Sequence, residues 1–152
     1  MKTMPACSFV TLALLALNSV AHATTIIWTN TAGGDWSVAA NWSPNQVPGS
    51  SDSALITNNG TYTLTMENLT VGNVTLGGGS GQQILDWNSG SLAAGSVLTV
   101  ASSATLSLEG SSYLDGVVTN AGTVIWPSDA YYLFLGAPFY NLAGALFNGQ
   151  NG

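Results

Sequence analysis

Runs of β-forming residues only a few positions long, each cut off by Gly, Ser or Asn, constrain this chain more than any other feature. Beyond residue 23 no long window carries apolar residues at the helical period, and Gly interrupts every stretch. The runs are Thr25–Trp28, Ala54–Thr57, Thr61–Met66, Leu69–Leu76, Ile84–Trp87, Ser96–Val100, Ala104–Leu108, Tyr113–Val118, Thr123–Trp126, Tyr131–Leu135 and Ala145–Phe147. Several alternate apolar with polar, as in Tyr62, Leu64 and Met66, or Leu106 and Leu108. That period of two belongs to a strand with one buried face. The chain is therefore expected to be all-β.

The runs also echo one another. Ser103-Ala104-Thr105-Leu106 resembles Ala121-Gly122-Thr123-Val124, 18 positions on. Asn120-Ala121-Gly122-Thr123-Val124 resembles Asn141-Leu142-Ala143-Gly144-Ala145-Leu146, 21 to 22 positions on. A short degenerate period of this kind suits a stacked solenoid, in which each coil needs neighbours to bury its apolar row. The expected fold is a right-handed parallel β-helix with an N-terminal Trp-rich cap. The alternative is a β-sandwich, in which Asn59-Gly60 would close a hairpin between Ala54–Thr57 and Thr61–Met66.

The first 23 residues have the three parts of a signal peptide. Lys2 is the positive end, Phe9 to Leu17 is an apolar stretch too short for a stable membrane span, and Ala21-His22-Ala23 is a small-residue cleavage site. Cleavage is expected before Thr24, with export to the cell surface or beyond and no membrane insertion afterwards. Removal of this leader takes away Lys2, His22 and Cys7, which are the sole basic residue, histidine and cysteine of the chain. What remains has seven carboxylates and five tyrosines as its ionisable side chains. Without a cation, nucleic-acid binding has no electrostatic basis. Without His or Cys there is no Ser-His or Cys-His nucleophile and no zinc or copper site. No disulfide is available.

A family resemblance enters with the segment Trp28 … Gly33-Gly34-Asp35-Trp36-Ser37 … Asn41-Trp42-Ser43 … Val47-Pro48-Gly49 … Asp52-Ser53-Ala54-Leu55-Ile56. It resembles the opening of exported bacterial parallel β-helix repeat proteins of the autotransporter-like adhesin and surface-protein type. Leu98–Leu108 and Val118–Trp126 are similar to coils of such proteins. The resemblance implies a right-handed parallel β-helix used for surface display or attachment. On this reading residues 1–23 are the leader, 24–66 the capping segment and 67–152 the coils. Such proteins commonly run much longer and end in a barrel or anchor, so the coils are expected to continue past Gly152.

Three groups of residues are candidates for function. Trp28, Trp36 and Trp42, beside Asn41 and Asn45, either plug the open end of the helix or stack on sugar rings of surface glycans. Asp52, between Pro48-Gly49 and Ala54-Leu55-Ile56, is expected to fix a turn by accepting backbone N–H bonds. Asp86, Glu109 and Asp115 would serve a polysaccharide hydrolase if neighbouring coils brought two of them to one face; otherwise they are solvated turn carboxylates. Calcium is the one cation the composition permits, yet no repeated acidic nonapeptide is present. No metal or other cofactor is expected. The sequence reading is thus a secreted or surface-displayed, adhesin-like structural protein without catalytic activity. The alternatives are a hydrolase or a carbohydrate-binding module.

Overall fold

A computed structural model describes residues 23–150; the proposed leader lies outside them apart from Ala23. The described chain is a parallel β-solenoid of about five turns. The first coil holds β1 (Thr25–Trp28) and β2 (Gly34–Asp35), followed by a short 3₁₀ turn at Ala39–Asn41 and β3 (Trp42–Ser43). The second holds β4 (Ser53–Ile56), β5 (Tyr62–Met66) and β6 (Leu69–Val71). The third holds β7 (Asn73–Leu76) and β8 (Gln83–Leu92), and the fourth β9 (Val97–Val100) and β10 (Thr105–Leu114). Then come β11 (Val117–Asn120), β12 (Thr123–Trp126) and β13 (Leu133–Leu135), and last β14 (Phe139–Asn141) and β15 (Leu146–Gly149).

These strands stack into three faces. Face A runs β14-β11-β9-β7-β4-β1-β3, and face B runs β15-β12-β10-β8-β5-β2. The C-terminal halves of β8 and β10, with β6 and β13, make face C. Every pairing but one is parallel; β1 and β3 run antiparallel, with Trp28 opposite Trp42. The hairpin expected at Asn59-Gly60 under the sandwich alternative does not form. β4 and β5 lie on different faces and each pairs with the next coil.

The register explains the weak repeat in the sequence. Leu106 stacks on Val124, and Asn120 on Asn141. Inward positions build apolar columns: Ala54, Val74, Leu98 and Val118 on face A; Leu64, Leu85, Leu106 and Val124 on face B; Val71, Leu92 and Leu114 on face C. No single coil has enough apolar surface to exclude water; the stacked column does. Parallel pairing between coils begins at Thr25, which is level with Ser53, inside the segment 24–66 assigned to the cap.

Strand bounds differ from the sequence reading where a corner intervenes. Leu69–Leu76 splits at Gly72, because a Cβ there would overlap the Asp52 carbonyl as the chain turns from face C to face A. Tyr113–Val118 likewise breaks: Leu114 ends β10 and Val117 opens β11. Conversely, β8 and β10 run on past Trp87 and Leu108 to make face C.

Candidate functional site

The three tryptophans close the first coil. Trp28 and Trp36 are fully buried, and Trp42 is 1% exposed. Trp42 meets Trp28 edge-on at 5.0 Å and Trp36 at 4.7 Å between ring centroids. The Trp42 indole donates to the Trp36 carbonyl at 2.8 Å, and the Trp28 indole to the Asn30 carbonyl at 2.6 Å. Asn30 and Asn41 tie the covering loop, with Asn30 Nδ2 on Asn41 Oδ1 at 3.0 Å and Asn41 Nδ2 on the Asp35 carbonyl at 2.9 Å. This geometry is that of the plug. Buried and packed edge to face, the three indoles present no open ring face on which a sugar could stack.

Asp52 is the turn brace its position suggested. Its buried carboxylate accepts from the Gly49 N–H at 2.9 Å and from the Thr24 N–H at 3.1 Å. Two of the three hydrolase candidates, Asp86 and Glu109, come to one face, and Asp115 does not join them. Asp86 and Glu109 lie on neighbouring coils of β8 and β10, while Asp115 follows β10 at the corner against Gly136. Asp86 sits outward in its strand, level with Ser107, whose hydroxyl donates to Glu109 Oε1. Partial burial pushes the Asp86 carboxyl above its ordinary range, and the Glu109 charge adds to the effect. The Asp86 and Glu109 carboxylates thus lie in strands, not in turns as the solvated reading had it. Among the described residues, no group of three or more His, Cys, Asp or Glu is placed to hold a metal ion.

A depression on the surface lies elsewhere, on face C. Register places two outward columns there. Asn68, Ser89 and Ser111 are level, and the Ser112 N–H donates to the Tyr132 carbonyl, which sets Tyr132 next in that column. Thr70, Ser91, Tyr113 and Phe134 form the second. Small hydroxyl residues on the lower coils leave a hollow of about 270 Å³, and Tyr113 stands at its upper wall. No charged side chain lines it.

Two glycines hold this face in shape. A Cβ on Gly110 would overlap the Asn88 carbonyl where β10 carries an extra residue between Leu108 and Ser111, a β-bulge. Gly90, at φ +133, faces Leu69 so closely that a side chain would strike its carbonyl. At the hollow's edge Asn68 takes φ +52, a left-handed conformation tolerated by Asn, and its Oδ1 accepts from the Ser89 hydroxyl at 3.0 Å.

The sequence reading missed this hollow because its walls come from segments about a coil apart. The available signal was phase. Tyr113 and Phe134 each alternate with a core-facing leucine, Leu114 and Leu133, so each had to point outward. Comparison with known protein families, with curated proteins and with solved structures yields no match.

Proposed function

We propose that this chain is a secreted or surface-displayed, adhesin-like solenoid that acts by presenting a rigid surface rather than by catalysis. The observation that supports it most is the column order of outward side chains. On face A, Leu55, Thr75, Thr99 and Thr119 follow one another in register, and face C carries two such columns. Parallel strands lie about 4.8 Å apart, so these columns form an evenly spaced array over a core closed by indoles at one end. An exported leader ahead of Thr24 agrees with this role.

Fractionation of the native organism with an antibody against the folded domain tests the reading. The protein should be found outside the cytoplasm and begin at Thr24, and cells lacking it should attach less well to surfaces. A cytoplasmic protein that retains Lys2 would sink it.

A second reading, a polysaccharide hydrolase, draws on Asp86 and Glu109 sharing one face and on the raised Asp86 pKa. A hydrolase needs two carboxyls flanking a substrate cleft. Neither carboxylate lines the face C hollow, and the Ser107 hydroxyl is bonded to Glu109. Reducing-sugar release from a polysaccharide, abolished by both Asp86→Asn and Glu109→Gln, would favour the hydrolase.

A further inference from the structure

We infer that the hollow of face C is a binding site for a neutral glycan, with Tyr113 and Phe134 as its stacking platform. The inference deepens the adhesive reading and rests on it for the biological role. It starts from exposure. Tyr113 is 45% exposed, Phe134 53% and Tyr132 67%, all on adjoining coils of one face. Tyr113 and Phe134 lie 6.2 Å apart between centroids with their planes tilted by 46°. Isolated exposed apolar residues need no explanation, but a contiguous group beside a hollow marks an interaction surface.

The floor then selects the partner. Ser91, Ser111 and Thr70 make no side-chain hydrogen bond with other described residues. Each hydroxyl is both donor and acceptor, and the Asn68 amide adds two donors. An apolar peptide would leave these groups unpaired wherever it sealed them from water, which disfavours it. A glycan matches both halves of the site. Its ring C–H face covers an aromatic ring, and its hydroxyls pair with short polar side chains.

Charge narrows the class. No charged residue lines the hollow, and after removal of the leader the chain bears seven carboxylates and no cationic side chain. Uronic or sulfated chains would meet a repulsive field with no counter-charge. The bulge at Gly110 adds a second selective element: it is at the bend where β10 turns into face C, and so sets the direction of Tyr113.

The test uses the full exported chain in titration against soluble neutral probes, namely cellohexaose, xylohexaose, mannohexaose and chitohexaose, with polygalacturonate as the acidic probe. At least one neutral probe should bind, and polygalacturonate should not. Tyr113→Ala and Phe134→Ala should each weaken binding at least about tenfold, as for an aromatic anchor of an interface. Tyr140→Ala, an exposed tyrosine on face A, should leave affinity unchanged. Circular dichroism confirms that each variant folds, and Ser91→Gln, which fills the floor without touching the core, should repeat the loss if Tyr113→Ala does not fold. No binding to any neutral probe, equal binding by Tyr113→Ala, or preference for polygalacturonate would overturn the assignment. Beads coated with the protein separate the two readings. If they still attach to surfaces when Tyr113→Ala and Phe134→Ala are combined, adhesion stands and the face C site fails as its cause. If the unaltered protein attaches to nothing, the adhesive reading fails, whatever the titration shows.

Discussion

Asp52 and Asp86 show two different uses of a carboxylate, one bracing the first coil and one facing outward from a strand. Asp52 is the brace. Its Oδ1 accepts from the Thr24 N–H at 3.1 Å, and Thr24 is where leader cleavage is expected. Cleavage there would replace an amide N–H by an ammonium at the same place. A hydrogen bond involving charge contributes about 1.5–3 kcal/mol, against about 0.5–1.5 for a neutral one. Asp52→Asn should therefore destabilise a chain beginning at Thr24 by about 1–2 kcal/mol more than one with its leader still attached, as read by urea unfolding. Equal losses in the two forms would refute it. Asp86 is the outward carboxylate. Burial first, and Glu109 second, raise its pKa, so the fold binds that proton more tightly than the unfolded chain does. Its contribution to stability is complete below the ordinary carboxylate range and is lost as pH rises through the raised pKa. Asp86→Asn should flatten this part of the pH–stability curve and raise neutral-pH stability by no more than about half a kcal/mol. A melting temperature series from pH 3 to about pH 7 would show it.

Among the elements, the corner between β11 and β12 shows how a polar group is kept inside a solenoid. Asn120 is fully buried where Val100 and Leu76 occupy the coils below. Its Oδ1 takes the Gly122 N–H at 3.0 Å, and its Nδ2 donates to Asn141 Oδ1 at 2.7 Å and the Leu146 carbonyl at 3.0 Å. Ser112, equally buried in β10, has no partner for its Oγ. The two should respond oppositely to truncation. Asn120→Ala strands three partners and should cost about 2–4 kcal/mol, whereas Ser112→Ala removes an unsatisfied group and should be neutral or stabilising by up to about 1 kcal/mol. Chemical denaturation of both variants checks the pair. The Asn120 ladder was legible beforehand, because Asn120-Ala121-Gly122 and Asn141-Leu142-Ala143-Gly144 are similar in one dimension. So was the solenoid, since the Thr105 and Thr123 runs share an alternation that stacking requires. The three-faced cross-section was not. It depends on β8 and β10 continuing through Gly90 and Gly110, and a glycine in a run reads locally as an end. For the same reason the sequence directed attention to the clustered tryptophans, not to Tyr113 and Phe134, which meet only when coils are stacked.

At the scale of the whole molecule, stability is a sum of coils and of contacts between neighbours. The two ends are unlike. The first coil is closed by antiparallel β3 and three buried indoles. At the other end β14 and β15 pair on one side only among the described residues, with Tyr140, Leu146 and Phe147 exposed. In a protein prepared to end at Gly152, amide exchange should therefore be slowest in β7, β8 and β9, which have paired neighbours on both sides, and fastest in β14 and β15. Trp42→Ala extends this argument to mutation. Removing a buried tryptophan costs about 3–5 kcal/mol. In a globular core that loss would be felt throughout, but in a stack it acts on the coil it touches and weakens with distance. Exchange should rise most in β1 and β2, less in β4 and β5, and little in β9 and β10. Hydrogen exchange read by mass spectrometry on peptides from each coil resolves the gradient. A uniform rise across all coils would show a single cooperative unit and overturn the additive account. A rise confined to β1 and β2, with β4 unchanged, would show that the indole plug is a separate cap and not the first layer of a continuous core.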